Sequence, residues 1–308
     1  MPLLEVQSIS HAFGTRAVLR DVSFSLDAGV AALLGPNGAG KSTLFQILCT
    51  LLRPDSGKAQ IAGHDVTREP AQVRRALGVV FQSPALDPVL TVRENLHCHG
   101  RVYGLDRRTI TRKVDEAAGT LGVRDRLDDR VKILSGGLRR RVEIAKALIS
   151  SPRVLLMDEP DAGLDLSTRL LLQQTLHDIA RRDGVLVVLT THIMDLAESA
   201  DRVLMIASGE IVADDTPQAL RQRLGRSVVE VRDGRPERIG DWASARGLAW
   251  KAHAGSVLIE AQDAALTLSQ LAGELSPASL TLRQTTLADV FVTLTGEGLD
   301  RSEPLRGG

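Results

Sequence analysis

The chain has 308 residues but only two cysteines, no excess of either charge and no long apolar run. Cys49 and Cys98 stand far apart and outside any partner motif. They read as small buried hydrophobes and not as a disulfide or metal pair. The 38 basic residues are matched by 38 acidic ones, which argues against non-specific binding to nucleic acid or acidic lipid. No stretch approaches the ~18 apolar residues of a membrane span. The amino terminus, Met1-Pro2-Leu3-Leu4-Glu5, has neither the basic segment nor the apolar core of a secretory signal. The expectation is a soluble, cytoplasmic chain of one large or two unequal domains.

What is present is more specific. Gly35-Pro36-Asn37-Gly38-Ala39-Gly40-Lys41-Ser42-Thr43 has the spacing G-x-x-x-x-G-K-[ST]. The apolar run Ala31-Ala32-Leu33-Leu34 before it predicts a buried strand, and Ser42 to Leu52 after it predicts a helix. In that setting backbone N–H groups and a helix N-terminus converge on phosphate oxygens. Lys41 would reach the β- and γ-phosphates of a nucleotide, and the Ser42 hydroxyl would ligate Mg2+.

Residues 1 to about 225 alternate short β-branched runs with amphipathic stretches, an α/β pattern. Strands are predicted at Val79 to Phe81, Val154 to Met157, Val185 to Thr190 and Val203 to Ala207. Thr91-Val92-Arg93-Glu94 has the form of a capping box that opens a helix. A second helix follows Gly137, with Leu138, Val142, Ala145 and Ile149 on one apolar face. Arg139, Arg140 and Arg141 fall largely on the other side and read as solvated. His97-Cys98-His99 suggests a metal site, but residues two apart do not share a helix face, so surface or packing roles are expected.

After Gly225 the texture changes. Strands at Ser227 to Val231, Leu248 to His253, Val257 to Ala261 and Leu280 to Leu282 alternate with helical spacing at Asp241 to Arg246, Ala264 to Leu275 and Leu287 to Leu294. An Ala254-Gly255-Ser256 turn joins the middle two strands. The order β-α-β-β-α-β-α resembles a small ferredoxin-like module. The expected organisation is therefore an α/β nucleotide-binding domain over 1–225, an α+β accessory domain over 226–296 and a flexible tail over 297–308.

Val154 to Pro160 reads as a buried strand ending in two carboxylates whose side chains point differently, Asp158 and Glu159. About 120 residues after a P-loop lysine, such a strand has the form of a Walker B element. Asp158 would hold Mg2+ directly or through water, and Glu159 would polarise the water that attacks the γ-phosphate. Leu134-Ser135-Gly136-Gly137-Leu138 would place exposed N–H groups at a helix start, which is either an anion site or a plain N-cap.

Taken together, these motifs resemble the ATP-binding cassette (ABC) ATPase family over about residues 3–220. Leu134-Ser135-Gly136-Gly137 is similar to its signature, and Gln82 in Val80-Phe81-Gln82-Ser83 to its Q-loop glutamine. Ala162-Gly163-Leu164-Asp165 is similar to its D-loop, and Thr190-Thr191-His192 to its H-loop. Phe13 sits where the family stacks an aromatic on adenine. The resemblance implies a P-loop NTPase fold with a RecA-like core, a β-subdomain and a helical signature subdomain. It implies ATP and Mg2+ as ligands, the metal taken by Ser42, Gln82 and Asp158. It implies hydrolysis served by Glu159, His192 and Gln82, with Asp165 lying across an interface. In the family, the signature of one subunit completes the ATP site of another.

Two residues depart from the family pattern. Leu138 replaces the signature's usual glutamine, and Asp161 stands where Ser or Thr is common. Thr286 to Gly296 resembles the segment that ends many export-type members, including the daunorubicin/doxorubicin-resistance branch. Leu86 to Asn95 and Arg139 to Ile144 look like the same branch.

The implied protein is the ATPase subunit of an exporter at the cytoplasmic face of the membrane. It would pair with a second copy or a homologous ATPase and with a membrane-spanning permease on a separate chain. The permease is expected to dock near Gln82 to Arg101. A soluble ABC ATPase acting on ribosomes or DNA is one alternative, against which the single cassette and zero net charge count; a non-catalytic regulatory cassette is the other, disfavoured by the intact Glu159 and His192.

Overall fold

The computed structural model describes residues 1–83, 85–224, 227–232, 235–253, 256–261 and 263–296. The tail expected at 297–308 and most of the Ala254-Gly255-Ser256 turn lie outside the described residues. The chain opens with β1 (Leu4–Phe13), β2 (Arg16–Leu26), β3 (Gly29–Leu34), α1 (Lys41–Leu48), β4 (Ser56–Ile61) and β5 (His64–Asp65). It continues through α2 (Pro70–Ala76), β6 (Leu77–Val80), α3 (Val92–Val102), α4 (Arg107–Thr120) and α5 (Gly136–Leu148). Next come β7 (Val154–Asp158), α6 (Leu166–Asp183), β8 (Leu186–Thr191), α7 (Met194–Glu198), β9 (Arg202–Ala207), β10 (Glu210–Asp215) and α8 (Pro217–Arg223).

The central sheet has the order β10-β9-β3-β8-β7-β6, parallel except for its β10 edge. Strands covered on both faces must be apolar throughout, and β3, β7 and β8 are buried along nearly all of their length. Alternate residues feed two cores, because successive side chains of a strand point to opposite faces. Val30, Ala32 and Leu34 join a core with α3, α4, α5 and α6, while Ala31 and Leu33 join a core with α1, β1 and β2. The second core is roofed by an antiparallel sheet, β2-β1-β4-β5. The helix predicted after Thr91 is α3, and its capping box is present.

The carboxy-terminal part comprises β11 (Ser227–Arg232), α9 (Pro236–Ser244), β12 (Trp250–His253), β13 (Ser256–Glu260), α10 (Ala264–Leu275), β14 (Ser279–Gln284) and α11 (Leu287–Thr295). Its sheet has the order β12-β13-β11-β14 with antiparallel neighbours, a split β-α-β arrangement. It has its own core, which includes Val229, Ile239, Trp242, Ile259 and Leu271.

Helix α11 does not belong to that core. Leu287, Val290 and Phe291 are buried in the main core beside Leu196 and Leu220. The Leu287 amide donates to Glu198 Oε1 at 3.0 Å. A Thr286–Asp289 capping box starts the helix, and Arg283 of β14 holds the Asp289 carboxylate at 2.6 and 2.8 Å. The last helix therefore returns to the cassette.

Phe291 is 1% exposed, so Phe291→Ala should cost about 3–5 kcal/mol of stability. Urea unfolding measures this. A chain ended at Leu224 keeps every nucleotide motif but loses α11, so it should bind ATP with a lowered melting temperature. Parental unfolding of both variants would show that α11 adds nothing to the cassette.

Candidate active site

The parallel strands bring three chain segments to one edge. Leu34 lies opposite Thr191, and Asp158 lies opposite Thr190. The residues that leave β3, β7 and β8 thus emerge side by side. This is the carboxyl end of the strands, where ligands of open α/β sheets bind.

The Gly35–Thr43 loop passes from β3 into α1. Gly40 has φ +107° and Gly38 φ +81°, conformations that glycine adopts without strain. A Cβ at Gly40 would sit 2.7 Å from Leu19 Cδ2 and 2.9 Å from the Val18 carbonyl oxygen. Lys41 is 6% exposed, and its Nζ donates to the carbonyls of Gly35 at 2.6 Å and Pro36 at 3.0 Å. Burial lowers the Lys41 pKa, and the charges of Glu159 and Asp158 partly offset this.

Glu159 lies just past the end of β7, so it is turned by the backbone and not by strand alternation. Its φ is +43°, a left-handed conformation that costs a non-glycine residue about 1–3 kcal/mol. Its amide donates to Thr190 Oγ1 at 3.0 Å, and the same hydroxyl donates to Asp158 Oδ1 at 2.5 Å. Gln82 Nε2 donates to Glu159 Oε2 at 2.9 Å. His192 Nδ1 is 3.2 Å from Glu159 Oε1. Gln82, Glu159 and His192 therefore form one cluster, with Asp158 beside it and Lys41 within its field.

Arg16, Ala17, Val18, Arg20, Pro36 to Ala39, Ala207 and Ser208 line a cleft of about 320 Å³, and Phe291 and Thr295 of α11 close its wall. Phe13 lies near it in the chain, more than half exposed, with one ring contact to His11 at 4.8 Å. A larger cleft of about 1010 Å³ runs between α4 and the end of α6. It lies at the amino ends of β7 and β8, away from the phosphate loop.

The signature residues stand apart from this cluster. Ser135 caps α5 by accepting the Leu138 amide at 3.3 Å, and Gly136 and Gly137 form the first turn. A Cβ at Gly137 would meet Thr168 Cγ2 at 2.9 Å, so the signature packs on the start of α6. Asp165 caps α6, bonded to the Thr168 amide and to the hydroxyls of Ser167 and Thr168. Those bonds hold its carboxyl well below the usual range. The cleft at the P-loop is lined by none of Ser135, Gly136, Gly137 and Asp165, and equally by none of Lys41, Gln82, Asp158, Glu159 and His192. Asp161 is buried, its Oδ2 has no partner, and desolvation raises its pKa.

Two features escaped the sequence reading. Thr190 bonds to both members of the carboxylate pair, a role visible only in the β7–β8 register. Arg140 is not solvated: it is 7% exposed and bonded to Glu159, Pro160 and Phe81. Its face of α5 is set by the two strand ends it meets, which helical periodicity alone does not show. His99, from the discarded metal motif, packs on Tyr103 at 4.9 Å. Burial and the nearby Lys146 charge push its pKa down to about 4.

A glycine-rich loop around a buried lysine, facing a carboxylate pair at the end of a parallel strand two places along the sheet, defines a P-loop nucleoside-triphosphatase. Comparison with known proteins narrows the class. Residues 19–162 match the ABC transporter family. The chain is 34% identical over 301 residues to the Nod factor export ATP-binding protein I of Rhizobium sp. (strain N33), covering 97% of this chain and 98% of that protein. It is 35% identical over 229 residues to the linearmycin resistance ATP-binding protein LnrL of Bacillus subtilis (strain 168), covering 74% and 73%. Among solved structures, cbiO1 from Clostridium perfringens, part of the ABC transporter complex cbiONQ, superposes with a TM-score of 0.67 at 26% identity. That match covers 79% of this chain and 99% of cbiO1. The chain belongs to the ABC transporter family, as an export-type ATP-binding subunit that hydrolyses ATP.

Thr190→Val should leave the Glu159 amide without its acceptor. A buried group stranded in this way costs about 1–3 kcal/mol, and turnover should fall at least about tenfold as the carboxylates lose their alignment. Thr190→Ser should retain both properties. Parental turnover in the valine variant would show that this hydroxyl positions neither carboxylate.

Proposed function

We propose that this chain binds ATP with Mg2+, pairs head to tail around two nucleotides and drives a membrane-spanning permease carried on a separate chain. The observation that carries this reading is the convergence of Gln82, Glu159 and His192 beside the buried Lys41. Lys41 and the loop amides of Gly38 to Thr43 bind phosphate, with Gly35, Pro36 and Asn37 shaping the turn. Phe13 stacks on the base. Glu159 orients the attacking water, while Gln82 and His192 hold its two carboxylate oxygens. Ser135, Gly136 and Gly137 present a helix N-terminus to the nucleotide of a second subunit, and Asp165 faces the same interface.

The donor set suits the metal. Ser42, Gln82 and Asp158 offer oxygen ligands, which Mg2+ prefers, and one carboxylate beside substrate phosphates is its usual arrangement. Gln82 bonds to Glu159 through its nitrogen, which leaves its amide oxygen for a cation. Mg2+ would supply charge stabilisation for the transferring phosphoryl group.

Among the described residues no helix is long and apolar enough to cross a membrane. The relatives are named for export and resistance, and cbiO1 is part of a multi-component transporter. Both points favour peripheral attachment to a permease at the cytoplasmic face of the membrane.

Glu159→Gln should keep ATP affinity but stop turnover, and ATP should hold the variant as a dimer in size exclusion. Wild-type hydrolysis by this variant would remove Glu159 from the chemistry.

The shared site is tested by mixing two inactive chains. Lys41→Ala disables the phosphate loop, and Ser135→Arg blocks the signature. Random pairing makes about half of the dimers mixed, each with one intact site, so up to roughly a quarter of parental activity should return. No recovered turnover and no mixed ATP-bound dimer would refute the shared site.

A further inference from the structure

Arg140 enters α5 one turn after Gly137 and is 7% exposed. Each nitrogen of its guanidinium is used. Nε donates to the Pro160 carbonyl at 2.9 Å, and Nη2 donates to the Glu159 carbonyl at 2.9 Å. Nη1 donates to the Phe81 carbonyl at 2.8 Å and to Glu143 Oε2 at 3.0 Å. The other Glu143 oxygen accepts the Ala85 amide at 2.7 Å. This one ion pair therefore grips the backbone on both sides of Gln82 and the carbonyls of the two successive peptides that follow the Glu159 side chain.

We propose that Arg140 is the positioning residue that sets the Glu159 carboxylate and the Gln82 amide against each other. Glu159 occupies a left-handed backbone conformation, which persists only where the surroundings over-determine it. Thr190 takes its amide and Arg140 takes its carbonyl. The Gln82–Glu159 bond spans two segments that have no pairing of their own beyond β6 and β7. A rigid planar fork joining Phe81 to Glu159 fixes their separation as a single point charge cannot. Arg140 touches neither nucleotide nor water in this scheme, and it acts through Glu159 and Gln82. The proposal rests on Glu159 being the catalytic carboxylate.

An arginine buried only to fill space and neutralise Glu143 would be replaced adequately by lysine. A positioning fork would not be. The test compares full-length Arg140→Lys and Arg140→Ala with the parent and with Glu159→Gln. Turnover and KM for Mg·ATP, ATP affinity by calorimetry and melting temperature are measured for each.

Both Arg140 variants should bind ATP within about threefold of the parent. Their kcat should fall by about ten- to a hundredfold, the scale of a small misplacement at a reacting centre. KM should hardly move, and Arg140→Lys should melt near the parent while remaining slow. If Arg140→Ala does not fold, Arg140→Lys decides by the same criterion. Parental kcat in a folded Arg140→Lys, with Glu159→Gln inactive, would overturn the positioning role alone. Parental turnover in Glu159→Gln would overturn the reading of Glu159 and this proposal with it.

Discussion

The parallel register of β3, β8 and β7 is the constraint on which the site depends. Because Leu34 is level with Thr191 and Asp158 with Thr190, the next residues of the three strands leave the sheet within one residue of the same height. Those residues begin the phosphate loop, the second carboxylate and the histidine turn. A slip of one residue would turn every side chain of a strand to the opposite layer. That slip is opposed on both faces, since Leu155 and Met157 of β7 fill one core while Val154 and Leu156 fill the other. Hydrophobic burial far from any substrate thus sets the spacing of the polar groups.

Two buried cations show how differently charge is handled here. Arg140 has four acceptors in reach and is almost saturated. Lys41 has two loop carbonyls, and the carboxylates of Asp158 and Glu159 only partly offset the burial of its charge. A cation with unspent charge at a helix N-terminus favours an incoming anion, and the dipole of α1 adds to that field. The saturated cation has little left to attract a ligand, but it is well placed to hold a backbone still. The first arrangement suits binding and the second suits geometry.

What the sequence made legible was the chemistry carried by contiguous motifs. The glycine-lysine loop, the strand ending in Asp158 and Glu159, the cap at Ser135 and the capping box at Thr91 each lie within a few residues. Their local form follows from local rules. What stayed hidden was fixed by pairing over long separations. The role of Thr190 exists only once β8 lies beside β7. Arg140 looked solvated because helical periodicity places it off the apolar face. It is buried because two strand ends bring carbonyls to that side. One face of α5 is apolar and the other polar, but polar is not the same as wet.

The carboxy-terminal module shows the same limit from another direction. Its strand and helix order could be read from alternation, and its separate core follows from that pattern. Where its last helix packs could not, because an amphipathic stretch says that it has a partner but not which one. Helix α11 chose the cassette. Its first amide bonds to Glu198, and Glu198 also pairs with Arg221 of α8. Glu198 ends α7, the short helix that follows His192, while Phe291 and Thr295 lie at the wall of the phosphate-loop cleft. Displacing the last helix would therefore expose Phe291 at the phosphate-loop cleft and break the Glu198 bonds on the helix that follows the histidine turn. Burial makes such displacement costly by several kcal/mol for an aromatic side chain. The last helix thus ties the module to the phosphate-loop end of the cassette, and the Thr293 hydroxyl bonded to Glu260 ties it in turn to the module's own sheet.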